Sequence, residues 1–169
     1  MTDSSVSIGL NNPKSPVNVG LVMRAAGCFQ VDSVFYTGKR YDRAAPFNTD
    51  TQNAGLSIPL TWVPSLPHDI PDDVQVVCVE LVEGAIALPA YEHPDKALYI
   101  FGPEDGTIQQ DVIDRADAVV FMPTIGSLNL AAAVNVLLYD RLSKMPADDC
   151  YKTLIRDSRD VNNRAKVKC

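Results

Sequence analysis

The stretch from 119 to 140, VVFMPTIGSLNLAAAVNVLLYD, constrains the fold more than any other part of the chain. It begins with a short apolar run that Pro123 ends, which indicates a buried strand. A loop of small and polar residues follows. From Leu130, apolar residues recur at spacings of three and four, which predicts a helix that ends near Lys144. The stretch therefore predicts a buried strand, a polar loop and a buried helix in succession.

The loop of this stretch ends with two hydrogen-bonding side chains, Ser127 and Asn129, at the point where the helix begins. The first turn of a helix has backbone N–H groups without partners inside the helix. Together with the two side chains they would form a polar mouth on an apolar wall, as a small ligand requires. The alternative is that these residues only cap a buried helix, and this stretch alone leaves both interpretations open.

The rest of the chain alternates apolar runs with helical patterns. Short apolar runs predict strands at 5–10, 32–38, 59–63, 74–82, 97–101 and 117–122. Helices are predicted at 17–29, 109–116 and 130–144, with a short one at 48–55, and 39–45 is predicted to be a basic loop. Most of the strands are unbroken apolar runs, which is typical of strands covered on both faces. The pattern predicts an α/β fold with a mostly parallel sheet and helices on both faces.

In parallel sheets of this kind, ligands bind beyond the carboxyl ends of the strands. Three predicted strands are followed by loops that contain glycine and polar residues, as a ligand site requires. These loops are Glu83-Gly84, Gly102–Gly106 and Thr124–Asn129. The chain has neither a GxGxxG sequence nor a GxxxxGK[ST] sequence, so a dinucleotide or a triphosphate is not the expected ligand.

The first helix carries an unusual charge. Asn18 is predicted to be its N-cap. Arg24 lies in the middle of this apolar segment without a carboxylate three or four residues away. A lone arginine there is costly unless it has a partner, so it either reaches water or faces a cleft that receives an anion or a reacting group. Asn18 lies less than two turns earlier, so the two side chains could share one cleft.

Charge is unevenly distributed along a chain whose net charge is −6. Residues 69–117 contain twelve acidic residues and two basic ones, whereas residues 152–168 contain six basic residues and two acidic ones. A second basic group consists of Lys14, Arg24, Lys39, Arg40 and Arg43. Tyr36 and Tyr41 lie close to it in sequence, and cations interleaved with aromatic rings suit RNA. The alternative is a solvated charged surface with a basic tail.

Several classes of protein are disfavoured by the sequence. No apolar run approaches the roughly 20 residues of a membrane span, and the N-terminus lacks the features of a secretory signal. The four cysteines include no CxxC pair, and Cys28 and Cys78 are predicted to be buried thiols in a reducing cytoplasm. The two histidines, His68 and His93, both adjoin prolines, so no metal site is expected.

Three segments together resemble the motifs of a known family. They are Asn12-Pro13…Asn18-Val19-Gly20…Arg24-Ala25-Ala26, then Leu98–Gly106 (LYIFGPEDG), then Met122-Pro123…Ser127-Leu128-Asn129-Leu130. In this order and spacing they resemble the motifs of the SpoU–TrmH branch of the SPOUT RNA methyltransferases, over roughly residues 5–145. Three features depart from common members: Ala131 follows where many have serine, Pro103 is one of several residues seen between the glycine and the glutamate, and Met122 replaces a common isoleucine.

The resemblance implies a C-terminal deep trefoil knot, a feature that is rare among proteins. It also implies a homodimer that binds S-adenosylmethionine within the knot and methylates a ribose 2′-hydroxyl. The domain would span residues 1–146, and residues 147–169 would be a polar, partly basic tail. The expected partner is RNA, with tRNA favoured over rRNA because so short a chain must recognise a compact substrate by its shape. The expected location is the cytoplasm, without a membrane or a metal.

The family motifs also assign roles to individual residues. The catalytic residues would be Arg24, Asn18, Glu104, Ser127 and Asn129. The cofactor-binding residues would be Leu81, Gly102, Met122, Ser127 and Leu128, largely through backbone groups. The basic group described above, rather than the motifs, predicts that RNA would bind at Lys14, Lys39, Arg40 and Arg43. Arg24 would stabilise a developing alkoxide, because guanidinium is a poor base, although the family is also discussed as using this arginine as the base.

Other functions remain open at this stage. The substrate could be rRNA, or the protein could be an RNA-binding dimer of the same fold that no longer catalyses. A protein that binds another nucleotide is disfavoured by the missing phosphate-binding loops.

Overall fold

A computed structural model describes residues 4–45, 58–145, 151–159 and 162–167 of the 169-residue chain. The described residues form one seven-stranded sheet and five α-helices. The strands are β1 (Ser5–Leu10), β2 (Ser33–Tyr36), β3 (Leu60–Trp62), β4 (Gln75–Val79), β5 (Ile86–Ala87), β6 (Lys96–Phe101) and β7 (Ala118–Phe121). The helices are α1 (Pro16–Cys28), α2 (Arg40–Ala44), α3 (Gln110–Ile113), α4 (Leu130–Lys144) and α5 (Tyr151–Ser158).

The order of the strands in the sheet is β3-β2-β1-β6-β4-β7-β5, and every neighbouring pair is parallel. The predicted parallel α/β sheet is therefore confirmed. The strand β7 lies between β4 and β5, which are consecutive along the chain. The C-terminal part thus inserts into a sheet that the earlier strands frame, and the trefoil knot itself stays a prediction.

Two apolar layers cover the sheet, one on each face. On one face, α1 and α4 pack together, with Val22, Val134 and Leu137 fully buried against strand residues such as Val77 and Val120. On the other face, α3 contributes Val112 to a smaller layer that also contains Cys78, Leu98 and Ile100. Alternate residues of β4 and β6 point into opposite layers, as the period of two in a strand requires. The prediction of helices on both faces is confirmed.

The N-cap of the first helix lies three residues earlier than predicted. Ser15 is the N-cap, because its hydroxyl accepts a hydrogen bond from the backbone N–H of Asn18, and Pro16 occupies the first turn. The prediction that Asn18 caps α1 is therefore wrong, and its side chain is available for other contacts. The prediction that Cys28 is buried is also wrong: it lies on the exposed face of α1, whereas Cys78 is buried as predicted.

A polar network ties the C-terminal part of α4 to β6, at the amino end of the sheet. Buried Arg141 donates to the Tyr99 hydroxyl at 3.1 Å and to the backbone carbonyls of Pro94 and Asp95. The Nδ1 atom of His93 lies 2.7 Å from that hydroxyl, and its Nε2 atom lies 2.9 Å from Asp140. Burial lowers the pKa of His93, against the opposing effect of Asp140, and raises the pKa of Tyr99 to about 12. The neutral His93 side chain thus connects Tyr99 of β6 with Asp140 of α4.

Other differences from the sequence predictions are local. Residues 40–44 form a short helix, α2, in place of the predicted basic loop. The two-residue strand β5 is too short to show a pattern, and the sequence did not predict it. The predicted helix at 48–55 lies outside the described residues. None of the helices among the described residues is both long enough and apolar enough to span a membrane.

Candidate active site

The candidate site lies where three neighbouring strands end. Because β6, β4 and β7 are adjacent in the sheet, the loops after their carboxyl ends lie side by side. These loops contain Gly102, Leu81 and Met122, which are three of the predicted cofactor-binding residues. The prediction that the three loops meet at one edge of the sheet is thus confirmed by the strand order.

A chain of hydrogen bonds joins the three sequence motifs at this edge. The side-chain amide of Asn18 donates to Glu104 Oε1 at 3.1 Å, and the side-chain amide of Asn129 donates to Asn18 Oδ1 at 2.9 Å. We call Glu104, Asn18 and Asn129 the three-motif bridge. It connects the start of α1, the loop after β6 and the start of α4, which lie far apart in sequence. Glu104, which the motifs predict to be a catalytic residue, thus has Asn18 as its side-chain partner.

Glu104 also fixes the loop that precedes α1. Its carboxylate accepts hydrogen bonds from the backbone N–H groups of Lys14, at 2.9 Å, and Ser15, at 3.1 Å. Partial burial acts to raise the pKa of Glu104. The hydrogen bonds from the two backbone groups and from Asn18 outweigh this effect, and the net pKa is lower than usual. Glu104 is therefore an ionised acceptor that organises the mouth of the site.

Asn129 serves the fold and the bridge at the same time. Its Oδ1 atom accepts from the backbone N–H of Ala131 at 2.9 Å and so caps α4, while its amide group donates to Asn18. The sequence left open whether Asn129 belongs to a ligand site or only caps a buried helix, and these two roles are thus compatible. In the same loop, Thr124 Oγ1 donates to the Gly126 carbonyl at 2.7 Å, and Ser127 and Leu128 are exposed.

Glu80 is a residue of this edge that sequence reasoning missed. Its Oε2 atom accepts from the backbone N–H of Ile108 at 2.9 Å, and its Oε1 atom accepts from its neighbour Leu81 at 3.0 Å. It also lies against Gly102, where an added Cβ would come within 3.0 Å of Oε2. Glu80 therefore contacts two of the predicted cofactor loops, the one that contains Leu81 and the one that contains Gly102. The available signal was a carboxylate placed directly after the apolar run of β4.

Arg24 lies apart from the three-motif bridge within one protomer. It is exposed, and its side chain has no hydrogen bond or ion pair to any residue that the structure describes. Asn18 and Arg24 are six residues apart on α1, which corresponds to about 9 Å along the axis and about 240° around it. The shared cleft that the sequence suggested is therefore not formed by a single protomer.

The four predicted RNA-binding residues fall into two pairs. Arg40 makes a two-point ion pair with Asp105, with both N–O distances at 2.9 Å, and Lys14 Nζ lies 3.5 Å from the same carboxylate. Lys39 and Arg43 are exposed, and neither side chain has a partner within the described ranges. Asp105 is a second residue that sequence reasoning missed, although it directly follows the motif residue Glu104.

Comparison with known families gives one match that spans most of the chain. The model of the SpoU rRNA Methylase family matches residues 5–139. This range contains every strand described above and the whole three-motif bridge. A comparison with curated protein sequences gives no match.

Solved structures with the same fold include proteins that act on RNA. The SpoU methyltransferase AviRb from Streptomyces viridochromogenes, solved with AdoMet, is 18% identical with a TM-score of 0.69, over 85% of this chain and 59% of its own. An rRNA methyltransferase from Sinorhizobium meliloti is 20% identical with a TM-score of 0.72, over 87% of this chain and 60% of its own. The present chain thus spans about three-fifths of the length of these two proteins.

A third structure is closer in length. It was described for the 2-OH methylation of C/U34 on tRNA, and it is 22% identical with a TM-score of 0.70, over 83% of this chain and 96% of its own. At these identities the likeness establishes the shared fold.

Proposed function

This chain belongs to the SpoU rRNA Methylase family, and we propose that it methylates a ribose 2′-hydroxyl of RNA with S-adenosylmethionine as the methyl donor. The observation that carries the proposal is the three-motif bridge. It gathers the polar side chains of all three motifs beside three adjacent strand ends, where parallel sheets bind ligands.

The residues at the strand ends fit such a donor. Leu81 exposes 77% of its surface in the loop after β4, and Leu128 exposes 40% in the loop after β7, where Ile125 is fully exposed. Exposed apolar side chains that lie close together commonly mark a ligand-binding groove or a partner surface. We assign the apolar part of the donor to these side chains, and its polar groups to backbone atoms at Leu81, Gly102, Met122, Ser127 and Leu128.

The bridge and Arg24 would divide the remaining work of the reaction. When bound, the donor supplies a methyl group on a positively charged sulfur. The ribose oxygen must approach in line, within about 3–3.5 Å of the methyl carbon. We assign Asn18, Ser127 and Asn129 to positioning this oxygen and Glu104 to fixing Asn18. Arg24 would stabilise the negative charge that develops on the oxygen as its proton passes to solvent water, while the bond between sulfur and the methyl carbon would break and leave a neutral thioether.

A homodimer accounts for the position of Arg24. The exposed faces of α1 and α4 are adjacent and carry large apolar side chains, namely Val17, Leu21, Val136, Tyr139 and Leu142. Arg24 lies on the same exposed face of α1. We propose that a second copy covers this face and that Arg24 completes the site across the interface.

The dimer can be tested independently of catalysis. The variant Leu21→Glu/Val136→Glu should be monomeric in sedimentation equilibrium, because it places charges in the proposed interface. Leu154→Glu is the matched control, since Leu154 is similarly exposed but lies on α5. A dimer that survives the double change would remove this face from the interface.

The favoured substrate is tRNA, and rRNA is the alternative. The support is the extent of each match: the tRNA-related structure is matched over 96% of its length, whereas the rRNA methyltransferase is matched over 60%. A domain of this size suits a compact RNA. We also propose that Lys14, Lys39, Arg40 and Arg43 contact phosphates. Replacing Lys39, Arg40 and Arg43 with Gln should weaken RNA binding and flatten its salt dependence, by about 0.7–0.9 for each phosphate that is no longer neutralised.

The test of the whole proposal is transfer of labelled methyl groups from S-adenosylmethionine to unmethylated tRNA, with the methylated ribose located by its resistance to alkaline cleavage. Methylation of rRNA alone would establish the alternative substrate. Binding of RNA without any heat of donor binding in calorimetry would indicate a silent RNA-binding protein of the same fold.

A further inference from the structure

The Asp105 ion-pair cluster, which consists of Lys14, Arg40 and Asp105, joins the loop before α1, the start of α2 and the loop after β6. Arg40 approaches Asp105 with both terminal nitrogens at 2.9 Å, and Lys14 approaches the same oxygen, Oδ2, at 3.5 Å. The Arg40 hydrogen bonds are the main cause of the lowered pKa of Asp105. The carboxylate therefore stays charged, pairs with two of the four cations assigned to RNA and offsets one of their two positive charges.

The arrangement matches what a phosphate would require. A guanidinium presents a planar pair of N–H donors that fits a carboxylate and a phosphate equally well. In this cluster the fork of Arg40 is already turned towards an anion, and a second cation approaches the same side. The two cations thus hold a carboxylate in the geometry in which they would hold a phosphate group.

The loop that carries Arg40 is held close to the loop that carries Lys14. Gly38 has a φ of +76°, and a Cβ at this position would lie 2.1 Å from Asn12 Oδ1. The backbone N–H of Asn12 donates to Thr37 Oγ1 at 3.0 Å. Contacts of Asn12 with Thr37 and Gly38, which do not involve Asp105, therefore hold the two cations close together.

The neighbouring carboxylates Glu104 and Asp105 have different partners. Glu104 accepts from neutral N–H groups, which shape the loop before α1. Within the described part of the chain, the partners of Asp105 are the cations Arg40 and Lys14. Its side chain is 50% exposed, and that of Lys14 is 65% exposed. Because the pair is half exposed, water and salt screen it, and an incoming phosphate can replace the carboxylate in the same two-point geometry.

We propose that Asp105 is an internal substitute for an RNA phosphate: it occupies Arg40 and Lys14 in the free protein and gives way when RNA presents a phosphate there. This inference rests on the proposed function, because it takes RNA as the substrate. It predicts that Asp105 lowers the affinity for any RNA and so restricts productive binding to RNAs that place a phosphate at this point.

The test is the affinity of the full chain for unfractionated bacterial tRNA as a function of salt. Asp105→Asn should bind tRNA about three- to tenfold more tightly at 50 mM salt. The substitution releases Arg40 and Lys14 from their carboxylate partner, and it removes a negative charge that would repel the RNA phosphate. Its salt slope should be steeper by about 0.7–0.9, so that the advantage falls about threefold between 50 and 200 mM salt.

Asp73→Asn is the matched control. It removes one exposed carboxylate that pairs with a cation at 2.9 Å, but its partner is Lys96 at the opposite end of β6 from Gly102. The variant has the same net charge as Asp105→Asn and should show at most a small general gain in affinity. An equal gain in both variants would overturn the proposal, because net charge alone would then explain it.

A second comparison separates displacement from loop support. If Asp105 acts by occupying Arg40, then in an Arg40→Gln background the change Asp105→Asn should lose most of its effect on tRNA affinity. Weaker tRNA binding by Asp105→Asn, together with a lower melting temperature, would mean that Asp105 only supports the loop, and the proposal would be refuted. Failure of every protein, including the wild type, to bind tRNA would overturn the proposed substrate as well.

Discussion

Replacing Glu104 with Gln removes the charge at the centre of the three-motif bridge and keeps the size of the side chain. The wild-type carboxylate accepts three hydrogen bonds, two at Oε1 from Ser15 and Asn18 and one at Oε2 from Lys14. A glutamine can present an oxygen at only one of these positions. Its amide nitrogen then faces at least one N–H group, so donor meets donor.

The cost can be worked from these contacts. The loss of a hydrogen bond to a charged acceptor costs about 1.5–3 kcal/mol, and exposure of this site to water reduces it to about 1–2 kcal/mol. For a chain of this length, each kcal/mol lowers the melting temperature by about 2–4 °C. We therefore expect Glu104→Gln to melt about 2–8 °C below the wild type at neutral pH.

The pH dependence gives a second signature. The pKa of Glu104 is lower in the folded protein than its ordinary value of 4.5, so the unfolded chain binds its proton first as the pH falls. The stabilisation is therefore complete above about pH 4.5 and is lost as the pH falls through the lowered folded value. Glutamine does not titrate, so the difference between the two proteins should shrink below this pH.

Activity should fall more than stability. Without its ionised anchor, Asn18 is no longer fixed, and small displacements in an active site can reduce rates by about 100-fold. The assay combines thermal unfolding from about pH 3 to about pH 8 with kcat/KM for methyl transfer, and Glu92→Gln is the control because Glu92 is exposed before the amino end of β6, away from the bridge. If Glu104→Gln behaves like Glu92→Gln in both measurements, the bridge does not organise the site.

Three further outcomes are expected. Arg24→Ala should abolish methyl transfer and leave donor binding, measured by calorimetry, nearly unchanged; normal turnover would refute its assignment. Because the pKa of His93 is lowered from 6.5 by burial, wild-type stability should decline as the pH falls below about 6.5, and denaturant titrations of His93→Gln should show a shallower decline; equal slopes would mean that His93 is not held neutral. Gly38→Ala should lower the melting temperature clearly, because the φ of +76° is strained for alanine and its Cβ would clash with Asn12; an unchanged value would show that the two loops can separate.

Elements with a long, regular apolar pattern were predicted correctly from the sequence, and elements with a short or mostly polar sequence were not. Both β1 and α4 were predicted with the bounds that the structure has, because each has a long and regular apolar period. The cap of α1 was misplaced because Ser15, Pro16 and Asn18 are all good helix-start residues, and only the backbone geometry selects Ser15. The helix α2 was not predicted because five mostly polar residues carry no apolar period.

The candidate site was predictable as a set of loops and less so as a set of contacts. The strand-end rule placed Gly102 and Met122 at the same edge of the sheet. Glu80 and Asp105 were missed because their partners are a distant backbone N–H and cations on other loops, which no spacing along the chain reveals. The separation of Arg24 from Asn18 could have been read from the helix period, since six residues place them on different faces.

The position of β7 in the sheet also determines when the sheet can be completed during synthesis. Among the described strands β5 pairs only with β7, so residues 86–87 have no strand to join until residues 118–121 have left the ribosome. Until then β4 has one open edge, which is a template for wrong association between nascent chains. A translational pause before residues 118–121 have left the ribosome, or a truncation before them, should therefore yield aggregates, and the emergence of β7 is the step that closes this edge of β4.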